Sequence, residues 1–282
     1  MPIHDQGYRR YGGHKARTGT GWIVIARAGV RTFIAKRAFL GLLLFAWLPF
    51  VVGAVQFFLA SSASSFPQAS LLKPSADTFR QFLEQQQTFV FFVTVYAGAG
   101  LIANDRRANA LQIYLSKPLT RAEYILGKLS ILAAFLLLVT WVPAILLLLW
   151  QIALAGNFTF FMANAFLFPA ITLFAFLQVV LASSTMLALS SLSKSSRYVA
   201  ILYAGLIFFS SAVYNVLYAV TRNSSLSWLS FSASLEQMGD IIFRQKLHYD
   251  TAWPVSLLAI LVLVGASALI LERRVRGIEV VA

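Results

Sequence analysis

Six long runs of apolar residues alternate with short polar stretches along the 282-residue chain. An apolar helix of about 20 residues is long enough to cross the roughly 30 Å hydrocarbon core of a bilayer. The pattern therefore predicts an all-α integral membrane protein with six transmembrane helices. The second run is the most diluted, by Tyr96, Gly98 and Gly100. The predicted spans cover about residues 39–60, 88–103, 128–151, 166–190, 198–220 and 253–271.

The residues before the first span are polar and basic, and they divide into two parts. Residues 1–21 are rich in glycine and lack periodicity, which predicts a flexible basic arm. The following residues have the pattern of an amphipathic helix at the membrane interface; the alternative is a simple extension of the first span. We expect no cleavable signal peptide and a single six-span domain over residues 22–282. The apolar face of the helix contains Trp22, Ala26, Val30 and Phe33.

The chain has 23 lysines and arginines against 10 carboxylates, a formal net charge of +13. If the N-terminus is cytoplasmic, 18 basic residues fall on the cytoplasmic side and five on the other, whereas the acidic residues divide equally. This asymmetry follows the positive-inside rule and predicts that both termini lie in the cytoplasm. The expected location is the plasma membrane, which is the inner membrane in a bacterium. Anionic membrane lipids, and not nucleic acid, are then the expected neighbours of the positive charge.

No residue pattern predicts a catalytic or metal site. The sequence has no cysteine, and its three histidines, His4, His14 and His248, all lie outside the predicted spans. A zinc site needs clustered ligands, and an intramembrane serine protease needs a base beside its serine. The Gly127-Lys128-Leu129-Ser130 stretch lacks the earlier glycine and the preceding strand of a phosphate-binding loop. We therefore expect no enzymatic activity and no cofactor bound by this chain.

The middles of the predicted spans also lack ionisable residues. Carriers driven by an ion gradient usually hold such a residue within the membrane. Among the deep polar residues, Gln178 and Asn215 are candidates to line a pathway, with hydrogen bonding between helices as the alternative. Any transport is thus expected to draw its energy from another chain.

Two loops on the non-cytoplasmic side are each predicted to contain a short surface helix. The first helix is expected to start at residues 74–75. In the second loop, residues 221–252, Ser234 and Gln237 match a capping box. Kinks are predicted at the prolines inside spans, Pro49, Pro143 and Pro169.

The densest polar stretch inside the chain is residues 104–128, NDRRANALQIYLSKPLTRAEYILGK, which we call the polar segment. Asp105 is placed to complement the N-terminus of a helix over residues 106–115, and Pro118 ends that helix. Thr120 and Glu123 match a capping box that starts the helix of the third span. An apolar patch rimmed by charge suits either a protein partner or lipid headgroups. The patch comprises Leu111, Tyr114 and Leu115.

The polar segment resembles the type-2 ABC exporter permeases, especially the six-span branch that includes the nitrous-oxide-reductase maturation and gliding-motility permeases. The interfacial helix, the six spans and the sizeable loop before the last span agree with that plan. One departure is Asn109-Ala110, where such permeases often have a glycine ahead of the leucine. The matching residues are Ala110, Leu111, Leu115, Ser116, Pro118, Leu119, Arg121, Tyr124, Gly127 and Lys128.

The resemblance implies that the polar segment contains a coupling helix seated in a cleft of a separate cytosolic P-loop ATPase, which binds ATP and Mg. Residues 191–198 would form a shorter second contact, and a second permease copy or a paralogue would complete the membrane part. Two alternatives stay open: a non-transporting scaffold that docks another partner, and a self-sufficient channel or carrier. The implied ATPase-docking residues are Asp105, Arg106, Arg107, Leu111, Tyr114, Leu115, Lys117, Pro118, Arg121, Glu123, Lys194 and Arg197.

Overall fold

The structure, a computed structural model, describes residues 20–62, 75–110, 119–156, 162 and 164–275, and the regular elements in these ranges are all helical. Six helices are long and apolar enough to cross a membrane, which confirms the predicted number. The protein is therefore an all-α, multi-pass membrane protein. Spans 1 to 6 are Arg37–Ser62, Ala76–Arg107, Arg121–Ala155, Leu167–Leu192, Ser196–Thr221 and Trp253–Arg274. The remaining helices are Gly21–Ile34, Ser224–Leu229 and Phe231–Ile242.

Spans 2, 3 and 4 form the centre of the bundle. Their most apolar windows are 56%, 56% and 61% buried, against 17%, 17% and 22% for spans 1, 5 and 6. Exposed side chains on the outer three spans, such as Leu44, Phe208 and Val262, face the surroundings of the bundle. Because lipid is as apolar as these side chains, a membrane helix gains little by burying them.

Prolines break two of the spans. Span 1 is interrupted at Trp47, just before Pro49, and span 3 at Thr140, just before Pro143. A proline removes one helical hydrogen bond and its ring clashes with the preceding turn. Pro169 instead lies in the first turn of span 4, where the missing N–H has no helical partner anyway, so the kink predicted there is wrong.

Span 2 is longer than predicted because the expected surface helix is its first part. The predicted start is confirmed: Ser75 Oγ accepts a hydrogen bond from the Thr78 N–H at 3.4 Å. From there the helix runs continuously over Ala76–Val93 into a π-helical turn at Thr94–Gly98. The prediction of a separate helix lying on the surface is therefore wrong, since Phe79 and Leu83 are buried in the bundle.

The helix Gly21–Ile34, which we call the N-terminal helix, runs alongside the first half of span 3 in the same direction. The two helices approach closely at Gly127, where a Cβ atom would lie 2.8 Å from Ile25 Cβ and 3.1 Å from the Trp22 carbonyl oxygen. Because glycine has no side chain, the two backbones can approach each other at this position. The predicted helix is confirmed, but its position at a membrane interface stays a prediction.

The loop between spans 5 and 6 folds into two short helices, and its predicted capping box is wrong. The N-cap of Phe231–Ile242 is Ser230, whose hydroxyl accepts from the Ala233 N–H at 3.2 Å. Gln237 is instead buried within this loop. Its side-chain oxygen accepts a hydrogen bond from the Ser256 hydroxyl at 2.6 Å. The Gln237 side chain thus bonds to Ser256 of span 6 and does not form the capping interaction that the spacing suggested.

Candidate functional site

The described parts of the polar segment, residues 104–110 and 119–128, lie at the end of the bundle where span 2 finishes and span 3 begins. We call this the basic end, and the other the opposite end. Part of the predicted docking surface lies outside the described residues, namely Leu111, Tyr114, Leu115, Lys117 and Pro118.

Asp105 joins span 2 to span 3. Its Oδ2 accepts a hydrogen bond from the Tyr124 hydroxyl at 2.7 Å and lies 2.7 Å from Lys128 Nζ. Tyr124 and Lys128 are four residues apart on a helix, so both side chains reach the same carboxylate. The Asp105 and Lys128 side chains are 18% and 10% exposed, respectively. We call these three residues the Asp105 cluster.

Asp105 lies in the first turn of the short helix Ala103–Arg107 at the end of span 2, so a helix that begins at residue 106 is wrong. Residues 111–118, over which that helix was predicted to continue and end, lie outside the described residues. The chain then turns at Asn109, whose φ of 52° lies in the left-handed region. Asparagine tolerates this conformation better than most residues other than glycine. Asn109 thus supplies a turn directly ahead of Ala110, at the position where the sequence departs from the resembling pattern.

The capping box at the start of span 3 is confirmed. The Thr120 N–H donates to Glu123 Oε2 at 2.8 Å, and the Glu123 N–H donates to Thr120 Oγ1 at 3.2 Å. The other carboxylate oxygen of Glu123 accepts from the Gly21 N–H at 3.3 Å. One buried carboxylate therefore holds together the first turns of span 3 and of the N-terminal helix.

Span 4 holds the irregular final part of span 2 through Ser190, a residue that sequence reasoning missed. The Ser190 hydroxyl accepts hydrogen bonds from the N–H groups of Ile102 and Ala103 at 3.1 and 3.0 Å, and it donates to the Ala99 carbonyl at 2.9 Å. These are backbone groups that a regular helix would pair by itself. Arg106 adds a further hydrogen bond to the Ser191 carbonyl oxygen.

Four of the predicted docking residues have exposed side chains at the basic end. They come from the loop regions between spans 2 and 3 and between spans 4 and 5. None of them forms an ion pair with another residue in the described ranges. Their charges are therefore accessible to a molecule outside the chain. The four are Arg107, Arg121, Lys194 and Arg197.

The two predicted pathway residues are not brought together. Gln178 is 2% exposed, and its amide donates to the Leu83 carbonyl at 3.2 Å. It lines a small cavity of about 80 Å³, together with Gln87 of span 2 and Tyr203 of span 5. Within the described residues, Gln178 Oε1 and Gln87 Nε2 have no hydrogen-bond partner. Asn215 is exposed and lies away from this cavity.

The opposite end contains a buried ionic network that the sequence did not suggest. Arg80 of span 2 is 4% exposed. Its Nε lies 2.6 Å from Asp240 Oδ1, and its Nη2 lies 2.6 Å from Glu84 Oε1. The backbone N–H of His248 donates a hydrogen bond to the other carboxylate oxygen of Asp240 at 3.0 Å. Span 2 is thereby tied to the helix Phe231–Ile242.

A second contact in this loop joins Tyr249 to Glu236. The Tyr249 hydroxyl donates to Glu236 Oε2 at 2.7 Å. Burial, followed by the hydrogen bond and the charge of Glu236, raises the pKa of Tyr249 above its ordinary value. The phenol is protonated at neutral pH in any case, and the raised pKa extends its role as a donor to more alkaline conditions. The hydrogen bond joins the helix Phe231–Ile242 to the residues that precede span 6.

In the described residues, no group of three metal-ligating side chains is placed to hold an ion. The sequence model of one protein family, described as ABC-2 family transporter protein, matches residues 23–274. The matched region includes the N-terminal helix, apart from its first two residues, and all six spans. No curated protein matches the chain significantly.

Proposed function

The chain belongs to the ABC-2 family of transporter proteins, and from this premise we propose that it is the membrane subunit of an ATP-driven exporter. In this proposal residues 22–282 form one permease domain. ATP and Mg bind to a separate cytosolic P-loop ATPase, and hydrolysis there moves a substrate across or out of the membrane. A second copy of this chain, or a paralogue, completes the membrane part.

The observation that carries the proposal is the attachment of the polar segment to the centre of the bundle. The Asp105 cluster connects the end of span 2 to the start of span 3. Ser190 and Arg106 connect the same end of span 2 to span 4. A partner that pushed on the described parts of the polar segment, residues 104–110 and 119–128, would therefore move the three most buried spans.

The distribution of charge supports an external energy source. Span 4 has the most buried apolar window of the six and contains no ionisable residue. In span 3 the ionisable residues Arg121, Glu123 and Lys128 all lie in its first third. A carrier driven by an ion gradient would need an ion-binding group deeper in the membrane. In our proposal the energy comes from ATP at the basic end, which faces the cytoplasm of a bacterial cell.

Gln178 is proposed as a residue of the transport pathway. Gln178 and Gln87 line the same small cavity between spans 2, 4 and 5, and among the described residues Gln178 Oε1 and Gln87 Nε2 each lack a hydrogen-bond partner. A buried polar atom without a partner is costly and often marks a place where water or a ligand binds. Asn215 lies outside this cavity, so it would line a path only between this chain and another subunit.

Charge reversal at the basic end tests the proposal. The variant Arg107→Glu/Arg121→Glu alters two exposed cations of the polar segment, and Arg222→Glu/Lys246→Glu is the matched control at the opposite end. We expect a P-loop ATPase encoded beside this chain to co-purify with the wild type and the control. The charge-reversed variant should lose it.

Two results would contradict the proposal. If the reversed variant retained the ATPase and stimulated its ATP hydrolysis normally, the polar segment would not be the coupling element. If a cytosolic partner without ATPase activity co-purified instead, the scaffold alternative would be correct.

A further inference from the structure

A groove of about 620 Å³ opens at the basic end between the N-terminal helix, the second half of span 2 and the start of span 5. We call it the basic groove. Its volume lies within the range of about 300–1,000 Å³ that is usual for small-molecule sites. The N-terminal helix packs on span 3 and has little direct contact with span 5, so the groove is a gap between two elements.

The charges that line the basic groove do not balance. Its ionisable residues are Lys36, Asp105, Lys128 and Arg197. Asp105 is already paired with Lys128 at 2.7 Å. Lys36 and Arg197 form no ion pair with any carboxylate in the described part of the chain. Two positive charges therefore face the groove without a negative charge to match them, which favours an anionic ligand.

The remaining lining is largely apolar, and this restricts the ligand further. Phe33 of the N-terminal helix, Val95 of span 2 and Ile131 of span 3 all contribute to the wall. Tyr96, also in the lining, is 43% exposed. A small inorganic anion would gain nothing from such a surface. A molecule with an anionic head and an apolar body would match both parts of the lining.

Span 5, which lines one side of the groove, has the exposed surface expected of a helix in contact with lipid. Its most apolar window is 17% buried. On span 5, Tyr198 directly follows Arg197 and Ile201 lies one helical turn further on; they are 67% and 65% exposed. An acyl chain could lie on these residues while its headgroup entered the groove.

We propose that the basic groove binds an anionic phospholipid of the adjacent leaflet, whose phosphate pairs with Lys36 and Arg197. The headgroup and glycerol fill the gap between the N-terminal helix and span 5, and the acyl chains remain in the bilayer. The bound lipid would thereby join two elements that the chain itself leaves apart. The proposal rests on the cytoplasmic orientation of the basic end, where anionic lipids are enriched.

Binding of defined lipids to the purified, delipidated full-length chain in detergent tests this inference. The ligands are phosphatidylglycerol, phosphatidylcholine and inorganic phosphate, and the readouts are lipid retention in native mass spectrometry and the unfolding temperature. We expect phosphatidylglycerol alone to be retained and to raise the unfolding temperature. Lys36→Gln/Arg197→Gln should bind it roughly 30-fold more weakly, since two cationic contacts are lost.

The control variant is Arg27→Gln/Arg31→Gln, which removes the same charge from exposed positions of the N-terminal helix outside the groove. It should bind phosphatidylglycerol like the wild type. Equal binding of phosphatidylcholine, or an equal loss in the control, would overturn the specific site. A rise in the unfolding temperature with inorganic phosphate alone would show that the groove binds a free anion, and it would contradict the proposal of a lipid.

The unfolding temperature without added lipid separates a lost site from a misfolded variant, because both variants should then match the wild type. If Lys36→Gln/Arg197→Gln is folded and still binds phosphatidylglycerol at full strength, the proposal is wrong. The assay needs no ATPase, so its failure would leave the proposed exporter function untouched.

Discussion

The two ends of the bundle both contain charged side chains, but they bury them to different degrees. At the opposite end the Arg80 and Asp240 side chains are 5% and 0% exposed. At the basic end Asp105 and Lys128 remain 18% and 10% exposed. The same end presents exposed cations such as Arg107, which form no ion pair among the described residues. A buried ion pair is hard to open because neither charge can regain its water. We therefore expect the ionic contacts at the opposite end to be harder to separate than those at the basic end.

The largest stability effect is expected from Arg80→Met. The change leaves Asp240 without its guanidinium partner in a fully buried position, which typically destabilises a protein by about 3–5 kcal/mol. Thermal or denaturant unfolding in detergent measures the effect. The double variant Arg80→Met/Asp240→Leu should recover part of the loss, since the fully buried charge of Asp240 is then gone and Glu84, whose side chain is 26% exposed, keeps access to water. A single variant as stable as the wild type would show that the network does not hold this end closed.

A smaller loss is expected from Lys128→Met at the basic end. Asp105 keeps its hydrogen bond from Tyr124 and some access to water. We therefore expect the free energy of unfolding to fall by about 1–2 kcal/mol, between the losses typical of exposed and of buried ion pairs. The same unfolding assay provides the comparison. A loss equal to that of Arg80→Met would remove the contrast between the two ends.

The capping box at the start of span 3 should contribute less to the stability of the fold than the contact between Lys128 and Asp105. Thr120→Ala removes the hydroxyl that accepts from the Glu123 N–H, and loss of such a cap costs about 1 kcal/mol. Thr120→Ser is the matched control, because it keeps the hydroxyl and should retain nearly all the stability. Equal unfolding temperatures for the alanine and serine variants would mean that the cap is not needed.

The smallest effect on stability is expected from Arg107→Gln/Arg121→Gln. Both side chains are exposed and unpaired among the described residues, so the unfolding temperature should not change measurably. The same variant should bind the ATPase more weakly in a co-purification assay. Unfolding of this variant at a lower temperature would assign these arginines to the fold and not to a partner.

Features that depend on neighbouring residues could be predicted from the sequence. The number of spans follows from the apolar runs, and the start of span 3 follows from the spacing of Thr120 and Glu123. The helix start at Ser75 is a local pattern of the same kind, although the sequence assigned it to a separate surface helix and not to span 2. In each case the deciding interaction lies within a few residues or depends on the solvent alone.

Features that depend on distant residues could not be predicted. Asp240 meets Arg80 across 160 positions of the chain, and Ser190 meets Ile102 across 88. The Ser234 and Gln237 spacing matched a capping box, but the side chain of Gln237 accepts a hydrogen bond from Ser256 instead. Tertiary contacts thus overrode a local pattern, as they often do for short polar motifs.

The central claim is that the basic end, and not the opposite end, engages a cytosolic ATPase. The chain contains no cysteine, so a single introduced cysteine reports on one position only. Ala108→Cys and Lys246→Cys place an exposed thiol at the basic end and the opposite end, respectively. We predict that a thiol cross-linker joins Ala108→Cys, but not Lys246→Cys, to a P-loop ATPase in intact membranes. Cross-linking from Lys246→Cys, or none from Ala108→Cys while the complex is intact, would contradict the claim.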